Sequence, residues 1–527
     1  MNILCYDIGT TGVKTCLFEA KDTITLLRSS FDSYDIKTSQ DGSAEQDPDD
    51  WWRAIVTSTR EIIDRDTKVD AISFCSQMQS LVLVDKEGRH IRPSISYMDQ
   101  RAGEIKKKVI ETGIKVSGMN VVKLIKSLYH TGAVAGSVKD PVWKYLWVKE
   151  NEAEVFKKTY KWLDVKEAII ARMTKNFVMS EDSAFATLLY DVRSKEKIFS
   201  EPVLKMLGVN PKHMPEIISS SHVAGYLLKD VADELGLKEG IAVYAGGGDA
   251  SLIGVGAGAI LPGDTHVYMG TSGWVSTVTE KTLIDTNAMV ASIVGAFEGR
   301  YNYFAELETA GKCLEWVKDH LVLDEINAYI EKKEITEDEV IYKSLYEYLS
   351  EVMLRANPGS DGVIFTPWLH GNRCPFEDAN ARGIFFNLSL ETGKTEMLRS
   401  VVEGVCFHLR WFFEVQDKKL KTSDTVRFVG GGALSATTSQ ILADIIGKTV
   451  VTVKDPQNVG AVGAAIIALK GANPEMSAEG LIEKIEIKDT YKPNPDNKAV
   501  YDKNYEVFKK LYKNNKELFA DLNASKL

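Results

Sequence analysis

Asp249 follows three glycines, Gly246-Gly247-Gly248, in the stretch IAVYAGGGDASLIGVGAGA. IAVYA reads as a short strand and the Ala-rich run from Ala250 to Ala259 as a helix, which places this carboxylate at the head of a helix, at a break in the backbone. An acid so placed can accept a proton from a hydroxyl. Shortly after it, HVYM meets Gly270-Thr271-Ser272-Gly273 and continues into the alternating WVSTVT, a hairpin whose tip lacks bulk. Backbone N–H groups at such a tip can approach an anion closely. We expect Asp249 and this tip to face one another across a cleft, the acid as proton acceptor and the tip as phosphate cradle.

A second strand-turn-strand opens the chain. NILCYDIGTTGVKTCLFE gives an apolar strand that reaches Asp7, a Gly9-Thr10-Thr11-Gly12 turn, and an alternating run after it. The two tips lie about half the chain apart, which points to two halves of one ancestral design. VRFVGGGALSATTSQILADIIG also repeats the layout of AVYAGGGDASLIG, with Ala433 where the first copy has Asp249. If only one of two related turns keeps an acid, that one can do proton chemistry and the other can lie flat against a ligand. Gly431, Gly432 and Ala433 are therefore expected to receive a nucleotide base or ribose.

Other elements must position these groups. Asp47-Pro48 starts a helix over Asp49 to Ile63, and the strand VDAISFCS after it delivers Gln77-Met78-Gln79-Ser80 at its end, where α/β sheets contact ligands. Gln77 and Gln79 read equally as a strand-end hydrogen-bonding pair. Asp99 and Arg101 form a local ion pair or touch substrate, and Asp182 caps a helix or floors the cleft. Residues 142–172 read as helical, with charged outer positions and Trp and Tyr in the core. Residues 323–355 read as a charged helical insertion. His408 reads as a core histidine, NVGAVGAAIIAL as a closely packed helix near 431–433, and the tail from Tyr491 as a basic amphipathic helix.

Composition sets bounds. A chain of 527 residues predicts two large domains, and 44% hydrophobic with 26% charged residues is ordinary for a globular enzyme. The formal net charge of −10, with no long basic run, argues against a nucleic-acid or anionic-membrane partner. Six scattered cysteines without a CxxC pair read as reduced core residues of a cytoplasmic protein. No basic leader or bilayer-length apolar run is seen.

Together these motifs resemble the FGGY carbohydrate kinases of the actin-like ATPase superfamily, and within them the xylulokinase branch. The resemblance runs from YDIGTTGVK through SQMQSLVLVDKEGRHIRPSISYMDQR, the GGGD turn, the GTSG tip, PWLHGNRCP, VEGVCFHLR and GGGALSATTSQILADIIG to the Tyr-rich tail. It implies an α/β fold of two ribonuclease-H-like domains, residues 1–250 for the sugar and the base and 251–527 for the nucleotide, flanking a central cleft that closes on a sugar and MgATP. By position it implies Asp249 as general base and Asp7 on Mg²⁺ and the phosphates, directly or through water. Gly9, Thr10, Thr11, Gly12 and Lys14, with Gly270, Thr271, Ser272 and Gly273, would hold phosphoryl oxygens, and Gly431, Gly432 and Ala433 would meet adenosine. Gln77, Met78, Gln79 and Asp249 would contact the sugar. The chain also departs from the family's patterns. Xylulokinases carry Gln-Met-His-Gly where Gln77-Met78-Gln79-Ser80 stands, so Gln79 replaces the sugar-contacting histidine. Glycerol kinases carry Arg-Glu at Met78 and Gln79, which sets glycerol aside. Ser80 resembles gluconokinases and keeps gluconate as the alternative to xylulose; Tyr97 replaces the usual Trp. A homodimer, the commonest soluble assembly, is one of the assemblies left open.

Rival readings are weaker. Gly393-Lys394-Thr395 and Gly447-Lys448-Thr449 end like a P-loop, but Leu388 and Leu442 stand where the earlier glycine is required. Gly254, Gly256 and Gly258 lack dinucleotide-binding spacing. A non-catalytic actin-like ATP switch is the rival from another class, and it would hydrolyse ATP without a polyol.

Overall fold

A computed structural model describes all residues except Arg65, Ser117, 323–344 and 525–527. The chain forms two compact units. The first comprises Met1–Gly256, Ile293–Tyr301 and Gly460–Ile485, and the second comprises Ala257–Ser292, Asn302–Val459 and Glu486–Leu527.

The first unit is built on a seven-stranded sheet. Its order from one edge is Val223–Tyr226, Ala242–Tyr244, Ala71–Ser76, Asn2–Ile8, Gly12–Ala20 and Ile24–Ser33, and the short Gly247–Gly248 strand also pairs with Ala71–Ser76. Asn2–Ile8 runs antiparallel to Gly12–Ala20 and parallel to Ala71–Ser76, whose six residues are all buried. Burial on both faces is why that strand reads as a continuous apolar run without alternation. The helix Pro48–Ile62 starts as expected: the Asp47 side chain accepts the Asp49 amide, Pro48 fits a first turn that needs no donor, and Trp51, Trp52 and Ile55 are buried.

The second unit repeats the plan on an eight-stranded sheet. Thr265–Met269 pairs antiparallel with Gly273–Thr279 and parallel with Thr425–Val429, which pairs parallel with Thr449–Val453. An antiparallel hairpin followed by parallel strands on the far side of its first strand is thus common to both units, the ribonuclease-H-like arrangement expected of each. The helix Lys394–Gln416 packs into this core through Val402, Cys406 and Leu409. His408 is buried there as expected, accepting from Trp368 Nε1 at 3.2 Å and bonding the Cys374 carbonyl at 2.7 Å. All six cysteines are free and buried.

Three expectations change. Residues 142–172 are interrupted: the helices Pro141–Asn151 and Ala153–Lys158 precede the strand Lys161–Leu163, which pairs with Val82–Val84, and the helix Val165–Thr174 follows. The charges there are not all outer ones, because Lys144, Lys166 and Glu167 are fully buried, Lys166 ion-paired to Glu167. The proposed insertion at 323–355 falls mostly outside the described residues, and its last part, the helix Leu345–Leu354, buries Leu349, Val352 and Met353. The tail helix begins at Lys498, after a strand Ile487–Tyr491, and buries Tyr501, Tyr505 and Phe508. Between the two, Asn494 caps a 3₁₀ turn over Pro495–Asn497, its side chain accepting the Asp496 amide.

Candidate active site

Asp7 and the Asp249 turn share one end of the first unit's sheet. In the parallel register Asp7 lies opposite Cys75, and Cys75 opposite Gly247, two residues before Asp249. Both acids stand where parallel strands end, the position at which α/β sheets gather ligands. Asp249 is half-buried and opens the helix Asp249–Ala257, where its Oδ1 accepts the Ala250 amide at 2.7 Å. A sharp turn delivers it. Gly246 has φ 63°, and a Cβ there would stand 2.2 Å from the Phe74 carbonyl oxygen, so no other residue fits. Asp182 secures the same turn: its Oδ2 accepts the Gly248 amide at 2.7 Å while its Oδ1 accepts the Ser183 amide at 2.9 Å. Asp182 is not the cap expected of it: the helix Glu181–Ala186 has Ser180 at its N-cap, and Asp182, its second residue, satisfies a first-turn amide and the Gly248 turn instead.

The electrostatics of this sheet end are acidic. Burial pushes the Asp7 carboxyl up, opposed by Lys14 across the hairpin and by a hydrogen bond from the Cys75 thiol. The Cys75 thiol is itself pushed well up, first by burial and then by Asp7 and Asp249, with Asp182 adding to them. Three carboxylates thus act on one thiol, and of them Asp7 is the one a hard cation held through a single carboxylate and water would use. Gly460, in the Val459–Ala472 helix, leaves the space open, since a Cβ there would lie 2.8 Å from Asp7 Oδ2. The first glycine of that helix lies on Asp7, within the same unit.

The Gly9–Gly12 tip is tied down by its carbonyls. Gly9 N donates to the Gly12 oxygen at 2.9 Å and the Tyr34 amide to Thr11 O at 3.1 Å. The Tyr34 hydroxyl donates to Gly9 O at 2.7 Å, and Gln46 Nε2 to Thr10 O at 2.7 Å. With all four carbonyls engaged by protein donors, the tip offers an approaching phosphoryl oxygen little acceptor repulsion. Gly12 is buried against Phe31 and Asp32, where a Cβ would meet the Phe31 ring at 2.4 Å, so packing alone requires it. Lys14 faces Asp7 across the hairpin.

Of the residues expected to meet the sugar, Gln77 is turned inward. It is 3% exposed, and its Nε2 donates to Gln46 Oε1 at 2.9 Å, which buttresses the tip through Gln46. Its bond goes to Gln46 rather than to Gln79, and its Oε1 is buried without a hydrogen-bond partner among the described residues. Met78 lies flat on the Asp249 turn, with its Sδ 2.0 Å from where a Gly248 Cβ would be. Gln79 is half-buried at φ 65°, a left-handed backbone that costs a non-glycine residue about 1–3 kcal/mol. Two residues unmarked in the sequence reading hold it. Asp164 Oδ2 accepts the Gln79 amide at 2.8 Å, and Lys144 Nζ donates to the Gln79 carbonyl at 2.7 Å. Burial pushes Lys144 down to about 7 against the pull of Asp164, and burial pushes Asp164 up, reinforced by Glu167. Asp164 preceding an apolar helical run was a legible capping signal; Lys144 among apolar neighbours was not read as inward. Asp99 and Arg101 are ion-paired at 2.7 Å, the structural reading of that pair.

In the second unit the Gly270–Gly273 tip closes the hairpin as expected, with Gly270 N donating to Ser272 O at 3.0 Å. Its carbonyls are held by the start of the helix Gly311–Val317: Ala310 N reaches Thr271 O at 3.0 Å and Gly311 N reaches Gly270 O at 2.8 Å. A Gly311 Cβ would stand 2.4 Å from that Gly270 oxygen, and a Gly273 Cβ 2.8 Å from Ala310 Cβ. Thr271 is the exposed residue of the tip, with Ser272 half-buried beside it. Gly430 turns the chain at φ 91° after Thr425–Val429, and a 3₁₀ turn over Gly431–Leu434 precedes the helix Ala436–Ile446. Ala433 is 4% exposed and its side chain packs in the core with Val267 and Met269, which leaves its backbone as the part that could meet a nucleotide. Gly432 is pressed on Met269, whereas Gly431 is exposed with open space beside it.

Comparisons with known proteins agree with this arrangement. The family model described as "FGGY family of carbohydrate kinases, N-terminal domain" matches residues 2–256, and its C-terminal counterpart matches 266–472. A xylulose kinase of Staphylococcus xylosus is 29% identical over 471 residues, 89% of this chain and 90% of its own. A gluconokinase of Bacillus subtilis is 26% identical over 470 residues, 89% of this chain and 87% of its own. The crystal structure of a ligand-bound xylulose kinase from Lactobacillus acidophilus superposes with a TM-score of 0.83 at 25% identity, covering 99% of this chain and all of the other.

Proposed function

The chain belongs to the FGGY family of carbohydrate kinases, and on that premise we propose that it transfers the γ-phosphoryl group of ATP to a hydroxyl of xylulose. The observation that carries the site assignment is the register Asp7–Cys75–Gly247, which sets Asp249 at the head of its helix beside a second acid. Asp249 takes the proton of the sugar hydroxyl as that oxygen bonds to the γ-phosphorus, the bond from phosphorus to the β–γ bridging oxygen breaks, and ADP leaves. The Gly9–Gly12 and Gly270–Gly273 tips donate N–H groups to phosphoryl oxygens, Lys14 adds charge, and Gly431 gives adenosine a flat seat. Asp7 would hold Mg²⁺ through water, and the ion would supply charge neutralisation on the phosphates. Residues 1–250 serve the sugar and 251–527 the nucleotide. Gln79 and Met78 contact the sugar.

Gluconate is the second reading, favoured by Ser80 and by the likeness to a gluconokinase. The deciding experiment is ADP formation with D-xylulose, D-gluconate and glycerol. We expect turnover with D-xylulose; preference for D-gluconate would reassign the substrate, and ADP formation indifferent to every sugar would favour an ATP switch. A cytoplasmic homodimer is the working assembly. No helix among the described residues is long and apolar enough to cross a membrane.

A further inference from the structure

Resting on the reading of Gln79 as a sugar contact, we propose that Lys144 and Asp164 are positioning residues that lock the Gln79 backbone in its left-handed conformation and so fix which sugar hydroxyls its amide reads.

Both polar backbone groups of Gln79 are caught by buried charges of opposite sign. The amide is held by Asp164 Oδ2 at 2.8 Å and the carbonyl by Lys144 Nζ at 2.7 Å, while Asp164 Oδ1 takes the next amide, Ser80, at 3.0 Å. Lys144 is 0% and Asp164 4% exposed. A buried polar group stripped of its hydrogen-bond partner is costly, so each side chain needs the peptide group it holds. The two come from different elements. Lys144 lies within the helix Pro141–Asn151, and Asp164 caps Val165–Thr174 through the Val165 amide at 2.9 Å. Residue 79 is thereby pinned from both sides.

A glutamine at φ 65° persists only where its surroundings over-determine it, and such residues gather at functional sites. Here the constraint has a direction. Met78 is pressed on Gly248, one residue before Asp249, so residue 79 is fixed next to the turn that carries the acid. Among the described residues the Gln79 side chain makes one long contact, Nε2 to Ala186 O at 3.5 Å, and its amide keeps hydrogen-bonding capacity for a ligand. Rotating residue 79 into an ordinary conformation would break all three clamp bonds and swing that amide away. Sites that read hydroxyls by fixed hydrogen bonds discriminate far more sharply than apolar pockets, which is what a rigid Gln79 would supply.

The test is steady-state kinetics of the full-length enzyme with D-xylulose and D-gluconate. Lys144→Met and Asp164→Asn should each raise KM for the accepted sugar about ten-fold or more, leave KM for ATP within about two-fold, and shift the preference between the two sugars. In a Gln79→Ala background the same changes should add less than about two-fold, because the amide they position is gone. Effects that multiply with Gln79→Ala, or that fall equally on sugar and ATP, would overturn the proposal. Should Lys144→Met fail to fold, Asp164→Asn decides alone. Adding Gln79→Gly to it should recover its lost melting temperature, since glycine adopts this backbone unaided, and no recovery would count against a clamp. Unchanged sugar KM in Gln79→Ala, with sugar-dependent ADP formation intact, would sink this inference and leave the kinase standing; absence of that activity in the unaltered enzyme would sink the kinase reading itself.

Discussion

Gly460 lies against Asp7: a Cβ on residue 460 would come within 2.8 Å of Asp7 Oδ2 and 2.9 Å of Cys75 Sγ. Neither atom belongs to a long side chain that can swing aside, and the strand fixes both. Gly460→Ala is therefore expected to lose about 1–3 kcal/mol of stability by overpacking and to raise the Mg²⁺ concentration needed for half-maximal rate. Urea unfolding and a Mg²⁺ titration measure the two effects. An alanine that changed neither would show that the carboxylate has room to move.

Asp249→Asn preserves shape and the Ala250 contact while removing the proton acceptor. We expect kcat to fall by ~10²-fold or more, with little change in melting temperature. Turnover within a few-fold of the unaltered enzyme would remove Asp249 from the role of base.

Asp182→Ala tests the support of that turn, because it strands the buried Gly248 amide. A loss of about 1–3 kcal/mol is expected, with kcat lowered while Asp249 is still present. Unchanged kcat at reduced stability would confine Asp182 to the fold.

Gly431 and Gly432 separate nucleotide contact from packing. Gly431→Ala has open space and should leave stability alone while raising KM for ATP, whereas a Gly432 Cβ would meet Met269 Sδ at 2.6 Å, so Gly432→Ala should lower the melting temperature. Equal ATP affinity in Gly431→Ala and the parent would take adenosine away from this turn.

Acid should weaken the second unit through its buried imidazoles. Burial pushes His408 down to about 4 and His266 to about 3 from an ordinary 6.5. The unfolded chain takes up these protons as pH falls through about 6.5 and the folded unit only near 4 and 3, so the stability they contribute is whole above 6.5 and declines on acidification. The stability difference between the parent and His408→Gln should shrink by on the order of 1–2 kcal/mol from pH 7 to pH 5. A pH-independent difference in urea midpoints would contradict a buried neutral His408.

The hairpins, the glycine turns and the strand-to-helix break at Asp249 were legible in the sequence because each depends on local chemistry: glycine where no Cβ fits, and apolar runs of strand period. Side chains whose roles depend on distant partners were not. Gln77 sits at a strand end that invites a ligand, and only the fold shows its amide nitrogen given to Gln46. Ala433 follows its glycines as Asp249 does, yet an intervening 3₁₀ turn rotates it into the core. Lys144 reads as an outer charge until Gln79 supplies the carbonyl that makes its burial tolerable. Gly393 and Gly447 illustrate the converse, since spacing alone set the P-loop aside and the structure uses these residues as the N-terminal and C-terminal caps of two helices.

The first unit is assembled from three stretches of chain, and the helix whose glycine lies on Asp7 belongs to the last of them. During synthesis, then, the ribosome has released every strand of that sheet long before the piece that seats its acidic end emerges. The early part must wait with an apolar face uncovered while the other unit is still being made, which makes nascent chains halted between residues 256 and 460 the natural clients of a chaperone. Cutting the gene after residue 256 would yield the first unit's sheet without its keystone.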